Sequence, residues 1–96
     1  MEKEQELYAI EDLLAINKSR KEYNDNCLQV IKDSIKEGKD FHIGIIGKDD
    51  TYEEIIPCDR YLAEYIKCYF INKSVEYEQK ILSNLIEKIR LLGEEE

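Results

Sequence analysis

Between Pro57 and Gly93 the chain contains neither proline nor glycine. Helix breakers are therefore missing from more than a third of its 96 residues. Within that stretch Tyr61, Leu62, Tyr65, Ile66, Tyr69 and Phe70 recur at spacings of three and four, and so do Ile81, Leu82, Leu85, Ile86, Ile89 and Leu92. The pattern predicts a helix over about 58–92, with Pro57 at its first turn and Asp59 favouring its positive end. At about 1.5 Å per residue such a helix is about 50 Å long. A compact domain of this size has a radius of gyration of only about 12–13 Å. The helix therefore either breaks, with Asn72-Lys73-Ser74 as the expected point, or packs its far end on a second chain.

The first half carries the same period. Leu7, Ile10, Leu13, Leu14 and Ile16 predict a helix over 3–16, and Asn17-Lys18-Ser19 interrupts it. Ser19 with Glu22 matches a capping box, so a second helix is expected over 19–37, ended by Gly38 with Lys36 in its last turn. The period then switches to that of strands. Phe41–Ile46 and Thr51–Ile56 flank Gly47-Lys48-Asp49-Asp50, the signature of a β-hairpin over 41–56. A four-residue connection pairs Ile45 with Tyr52, Ile43 with Glu54 and Phe41 with Ile56; a three-residue loop pairs Ile43 with Ile55. An isolated hairpin is marginal in water, so it is expected to lie on a helix or to pair with a partner's strand. The expected fold is thus a mostly helical α+β single domain over 1–96, with two N-terminal helices, one hairpin and a long C-terminal helix, either continuous or kinked. The acidic tail Glu94-Glu95-Glu96 is expected to fray.

Ile16-Asn17-Lys18-Ser19 recurs as Ile71-Asn72-Lys73-Ser74, and each Ser lies 19 residues before a glycine, Gly38 or Gly93. Duplication of a kinked helical unit is one reading and coincidence the other; both place a kink at the motif.

Charge excludes some functions. Twenty-two acidic residues against 14 basic ones leave −8, of which residues 49–96 carry −6. Phosphate neutralisation needs the opposite balance, so direct nucleic-acid binding is not expected. No apolar run is long enough to cross a membrane, and the acidic start Met1–Glu6 lacks the order of a signal peptide. Three cysteines, Cys27, Cys58 and Cys68, are odd in number, which fits free thiols in the cytoplasm. Lysine outnumbers arginine 11 to 3 and isoleucine occurs 14 times, as expected of AT-rich codons. The layout, small size and codon bias resemble, in general style alone, small accessory proteins of phages; no motif carries that likeness.

Catalytic chemistry finds few parts. Cys58 follows Pro57 at the expected helix start, where the dipole favours a thiolate, but His42 is the only histidine and nothing fixes it nearby. An inert buried thiol is the simpler reading, and no catalytic residue is assigned. No cysteine or histidine spacing suits a metal, and Asp49, Asp50, Glu53 and Glu54 lack the alternation of a calcium loop. No metal or cofactor is expected.

Binding is the class left. Tyr61, Tyr65 and Tyr69 lie at i, i+4 and i+8, with Tyr52 on the preceding strand. The rings either pack the hairpin against the helix, anchor a protein interface or line a ligand pocket. With Asp49, Asp50, Glu53, Glu54 and Asp59 beside them they suit a basic protein partner, and the expected function is a non-enzymatic protein-binding module or inhibitor covering such a surface. The alternative is an oligomeric binder of a nucleotide-like anion between Arg60, Lys67, Tyr61 and Tyr65; a second alternative is a purely structural oligomerisation protein. A homodimer or higher oligomer is expected through Ile81, Leu82, Leu85, Ile89 and Leu92, which a chain of 96 residues has little left to cover.

Overall fold

A computed structural model describes residues 2–93; the tail 94–96 lies outside the described residues. Four elements follow one another: α1 (Lys3–Lys36), β1 (Phe41–Ile46), β2 (Tyr52–Cys58) and α2 (Arg60–Gly93). The two helices, each of 34 residues, run antiparallel and pack along their length, with the hairpin joining them at one end. The mostly helical α+β architecture and the long C-terminal helix agree with expectation.

The N-terminal half is one helix and not two. Asn17-Lys18-Ser19 does not interrupt it, and Ser19 sits exposed inside α1 with no cap to make. Nor does α2 break at Asn72-Lys73-Ser74. The two copies of the repeated motif also differ in setting: Asn17 is buried between the helices, whereas Asn72 is exposed.

Spacing explains the continuity. Leu7, Ile10, Leu14, Asn17, Lys21, Asn24, Leu28, Ile31 and Ile35 alternate steps of three and four, and each is buried or half-buried. That is the seam of an antiparallel helix pair. On α2 the matching positions include Ala63, Ile66, Phe70, Ser74, Tyr77, Ile81, Asn84, Lys88 and Leu91. Polar side chains in the seam find partners across it. Asn17 Nδ2 donates to Asn84 Oδ1 at 2.9 Å, and Asn24 Nδ2 donates to the Phe70 carbonyl at 2.9 Å. Lys88 reaches Glu11 at 3.7 Å. Lys21 instead pairs along its own helix, its Nζ 2.6 Å from Asp25 Oδ2.

Both helix ends at the hairpin are defined locally. Gly38 takes φ +70°, and its amide bonds to the Ile35 carbonyl while that of Lys39 bonds to Ser34, closing α1 as a Schellman motif. Pro57 and Cys58 belong to β2, so α2 starts later than the proline suggests. Asp59 caps it instead, its Oδ1 accepting from the Leu62 amide at 2.8 Å.

The hairpin register differs from both expected ones. Ile46 pairs with Tyr52, as a three-residue loop requires, with Asp50 at φ 59° and the Gly47 amide bonded to the Thr51 carbonyl. A bulge between Ile45 and Ile46 then leaves Glu53 unpaired. Beyond it the ladder runs Ile45–Glu54, Gly44–Ile55, Ile43–Ile56, His42–Pro57 and Phe41–Cys58.

Thinness is the dominant property of the protomer. Its extents are 60 × 32 × 15 Å and its radius of gyration is 19.0 Å, half as large again as the ~12.5 Å of a compact chain this long. Fully buried hydrophobic residues are limited to Leu14, Ala63 and Leu91 among the described residues.

Candidate interaction surfaces

Three surfaces remain open once the helix seam has formed. The first is the outer face of α2. Leu91, 2% exposed, points into the seam, whereas Leu82, Ile86, Ile89 and Leu92 turn outward, Ile86 being 66% exposed. Of the residues expected to form an oligomer interface, Leu82, Ile89 and Leu92 lie on this open face, and Ile81 and Leu85 are half-buried within the protomer. Ile86 shares this face with them, in keeping with its place in the same apolar stripe. Val75 extends the stripe towards the middle of the helix.

The second surface is the hairpin with the start of α2. Tyr61 and Tyr65 are 88% and 75% exposed, so these rings do not pack the hairpin against the helix. Asp49, Asp50, Glu53, Glu54 and Asp59 are all exposed around the same end. Tyr52 belongs to β2 by its backbone, and its side chain lies outside the described residues. Only the root of the hairpin meets the helices closely: Phe41 and Cys58 enclose a small cavity of about 190 Å³ with Ile31, Ala63 and Ile66. Further out, Ile43, Ile45, Ile46, Ile55 and Ile56 are exposed. Cys58, at the end of a strand and hydrogen-bonded weakly to the Asp59 carbonyl at 3.6 Å, lacks the helix-start position on which its reactivity was argued.

The third surface escaped the sequence. Arg20, Tyr23 and Asn24 of α1 and Tyr69, Lys73 and Tyr77 of α2 border an open groove of about 480 Å³ across the helix pair. Tyr69 packs edge-on to Phe70 with ring centroids 5.3 Å apart, and the Lys73 ammonium lies 5.8 Å from the Tyr69 ring centre. Glu76 pairs with Lys73 at 3.0 Å and, with its charge, holds that amine above its usual range. The groove thus gathers two cations among three phenols on a strongly acidic chain. The signal was present, since Tyr23 lies at a helical step from Arg20 and Cys27, but only the helix pairing joins it to Tyr69. Of the residues expected to bind an anion at Arg60, Lys67, Tyr61 and Tyr65, Lys67 pairs with Glu64 at 2.8 Å, as Lys73 does with Glu76, and Arg60 lines a pocket beside Gly38, Asp40 and Phe41.

Among the described residues no group of three His, Cys, Asp or Glu side chains is placed to hold a metal ion, and no helix is long and apolar enough to cross a membrane. Comparison with protein-family models, curated proteins and solved structures finds no match to this chain.

Proposed function

We propose that the chain is a non-enzymatic interaction module that works as a homo-oligomer, with the outer face of α2 as the contact between copies. One observation carries the reading. The protomer exposes 7814 Å², about 2,000 Å² more than the ~5,800 Å² of a compact monomer of 11.4 kDa. An excess of that size is what one side of a large obligate interface removes from water. The stripe Leu82, Ile86, Ile89 and Leu92 is a continuous apolar part of that excess along one helix. Docked on a second pair, the helices become a four-helix bundle, and the chain gains the core it lacks alone.

Assembly leaves the tyrosine-rich hairpin end free to bind. Tyr61 and Tyr65 are rigid amphipathic anchors, and the surrounding carboxylates steer a basic protein surface towards them. Raised salt is then expected to slow association more than it speeds dissociation.

Ile86→Asp tests the assembly. The side chain is largely exposed in the protomer, so the substitution costs the single chain little but buries a charge in the oligomer. Sedimentation is expected to show a folded variant of smaller oligomeric size than the wild type; a wild type that stays monomeric at tens of micromolar, or a variant of unchanged size, rejects the reading. For the hairpin end, Tyr61→Ala or Tyr65→Ala is expected to weaken partner capture more than neutralising any one carboxylate. Binding indifferent to both tyrosines and to salt rejects that part.

The groove at Arg20 favours a second reading, in which an aromatic anion stacks on Tyr23 and Tyr69 and its negative charge meets Arg20 and Lys73. Titration with nucleoside phosphates, read by the chemical shifts of these tyrosines, decides it; shifts no larger than in Arg20→Ala exclude it.

A further inference from the structure

The two edges of the hairpin are built differently. Proline has no amide hydrogen, so Pro57 fits this ladder only with its nitrogen facing away from β1. Alternation along an antiparallel pair then turns the amides of Pro57 and Ile55 outward on β2, and those of His42 and Gly44 outward on β1. On β2 this outer edge is blunted twice, by the missing donor at Pro57 and by the bulge at Glu53, and it carries the charges of Glu53 and Glu54. Those are the devices by which natural sheets refuse a further strand. On β1 there are none: Phe41-His42-Ile43-Gly44-Ile45-Ile46 contains no proline and no acidic or basic residue other than the histidine. One edge is closed to pairing and the other is left open.

We propose that the open edge of β1 pairs antiparallel with β1 of a second copy, joining two hairpins into a four-stranded sheet. A twofold axis at Ile43 sets His42 of each copy opposite Gly44 of the other. These are the residues with outward backbone groups, so each pair exchanges two hydrogen bonds. The same register places Phe41 against Ile45 across the axis, and Ile43 against its own counterpart, with Ile56 alongside on the same face. Three apolar contacts thereby cover Ile43 and Ile45, which the protomer leaves exposed, against each other and the half-buried Phe41. Charge favours this occupant as well. On a chain of −8 this strand is a segment without a carboxylate, so pairing it with its own copy sets no carboxylates against one another within the strands. Pairing also supplies what a lone two-stranded hairpin needs for stability.

Hydrogen exchange on the purified wild-type protein, read residue by residue, tests the proposal. The amides of His42 and Gly44 are expected to exchange at least about tenfold more slowly than that of Ile55, whose neighbouring edge is blunted, and to lose that protection on dilution. Exchange at His42 and Gly44 as fast as at Ile55 at every concentration overturns it. A second measurement uses cysteine in a chain with Cys27, Cys58 and Cys68 replaced by serine. Facing residues of a non-hydrogen-bonded pair have Cα atoms about 4.5 Å apart, within disulfide reach. Ile43→Cys is therefore expected to oxidise to a covalent dimer and Ile55→Cys not; equal cross-linking of the two also overturns it. The strand contact does not rest on the α2 interface. Protection at His42 and Gly44 is expected to persist in Ile86→Asp; an oligomer unchanged by Ile86→Asp with protection intact counts against the helix contact alone, and a smaller oligomer with His42 and Gly44 unprotected counts against the strand contact alone.

Discussion

Truncating Asn17 and Asn84 separately and together measures what a polar layer contributes to a helix pair this thin. Asn17 is 8% exposed and donates to Asn84 Oδ1 at 2.9 Å, and the two residues stand 67 positions apart in sequence. Asn17→Ala removes the donor and leaves the Asn84 oxygen half-enclosed; Asn84→Ala does the reverse. Each alanine also gains up to about 0.7 kcal/mol of helix propensity, which hides part of the loss in either single variant. The double-mutant cycle cancels that gain, since propensity enters both singles and the double equally. What remains is the net worth of one buried amide hydrogen bond, about 1 kcal/mol. The assay is urea unfolding at one fixed protomer concentration, because any association adds its own concentration dependence. Coupling no larger than the ~0.3–0.5 kcal/mol scatter of independent sites refutes the pairing. The companion expectation is that Asn17→Leu with Asn84→Leu is at least as stable as the wild type, as in other cases where a buried polar pair gives way to apolar side chains.

Leu91→Ala is expected to cost about 2–3 kcal/mol in denaturant unfolding, since a 2% exposed leucine at the far end of the seam leaves a cavity behind. Gly38→Ala costs about 1 kcal/mol: its φ of +70° disfavours any side chain, and no neighbouring atom lies within 4 Å of the added methyl, so the whole loss is conformational. Asp25 is held below its usual 3.8 by the Lys21 hydrogen bond first and by Ser74 second, although its enclosed Oδ1 makes no hydrogen bond of good geometry. A lowered carboxyl contributes stability above its unfolded value and loses it as pH falls through the folded one. Acid titration of stability below about pH 4 is therefore expected to flatten in Asp25→Asn.

The sequence carried the helices and the hairpin through period alone, and the limits of that signal explain the errors. Asn17 and Ser74 read as interruptions because polar residues in an apolar stripe usually end helices; here both lie in the seam, Asn17 bonded to Asn84 on the opposite helix and Ser74 half-buried, a setting visible only in three dimensions. Glu53 shifted the register because a bulge has no compositional mark. Of the proposed contact residues, those on the open face of α2 were legible from the surplus of apolar positions over what one seam can bury. The Arg20 groove was not, since its halves lie some 50 residues apart and only antiparallel pairing joins them. The exposure of Tyr61 and Tyr65 was also undetermined, because helical spacing serves a core and an interface equally well.

Because the hairpin lies midway along the chain, α1 and α2 leave it as two arms of equal length, and every seam layer is nested inside the next. Ile35 and Ala63, which border one cavity beside Gly38, close a short loop, and the Asn17–Asn84 bond closes a long one. Formed alone, the outer layer bears the entropy of the whole loop; formed after the inner ones, it adds only the few residues since the last layer. The pair therefore closes as a zipper from the strand end outward, which keeps its rate nearer that of a local helical fold than its sequence separations suggest. Substitutions in seam residues near Phe41 are therefore expected to slow folding, and those at Leu14 and Leu91 to speed unfolding instead.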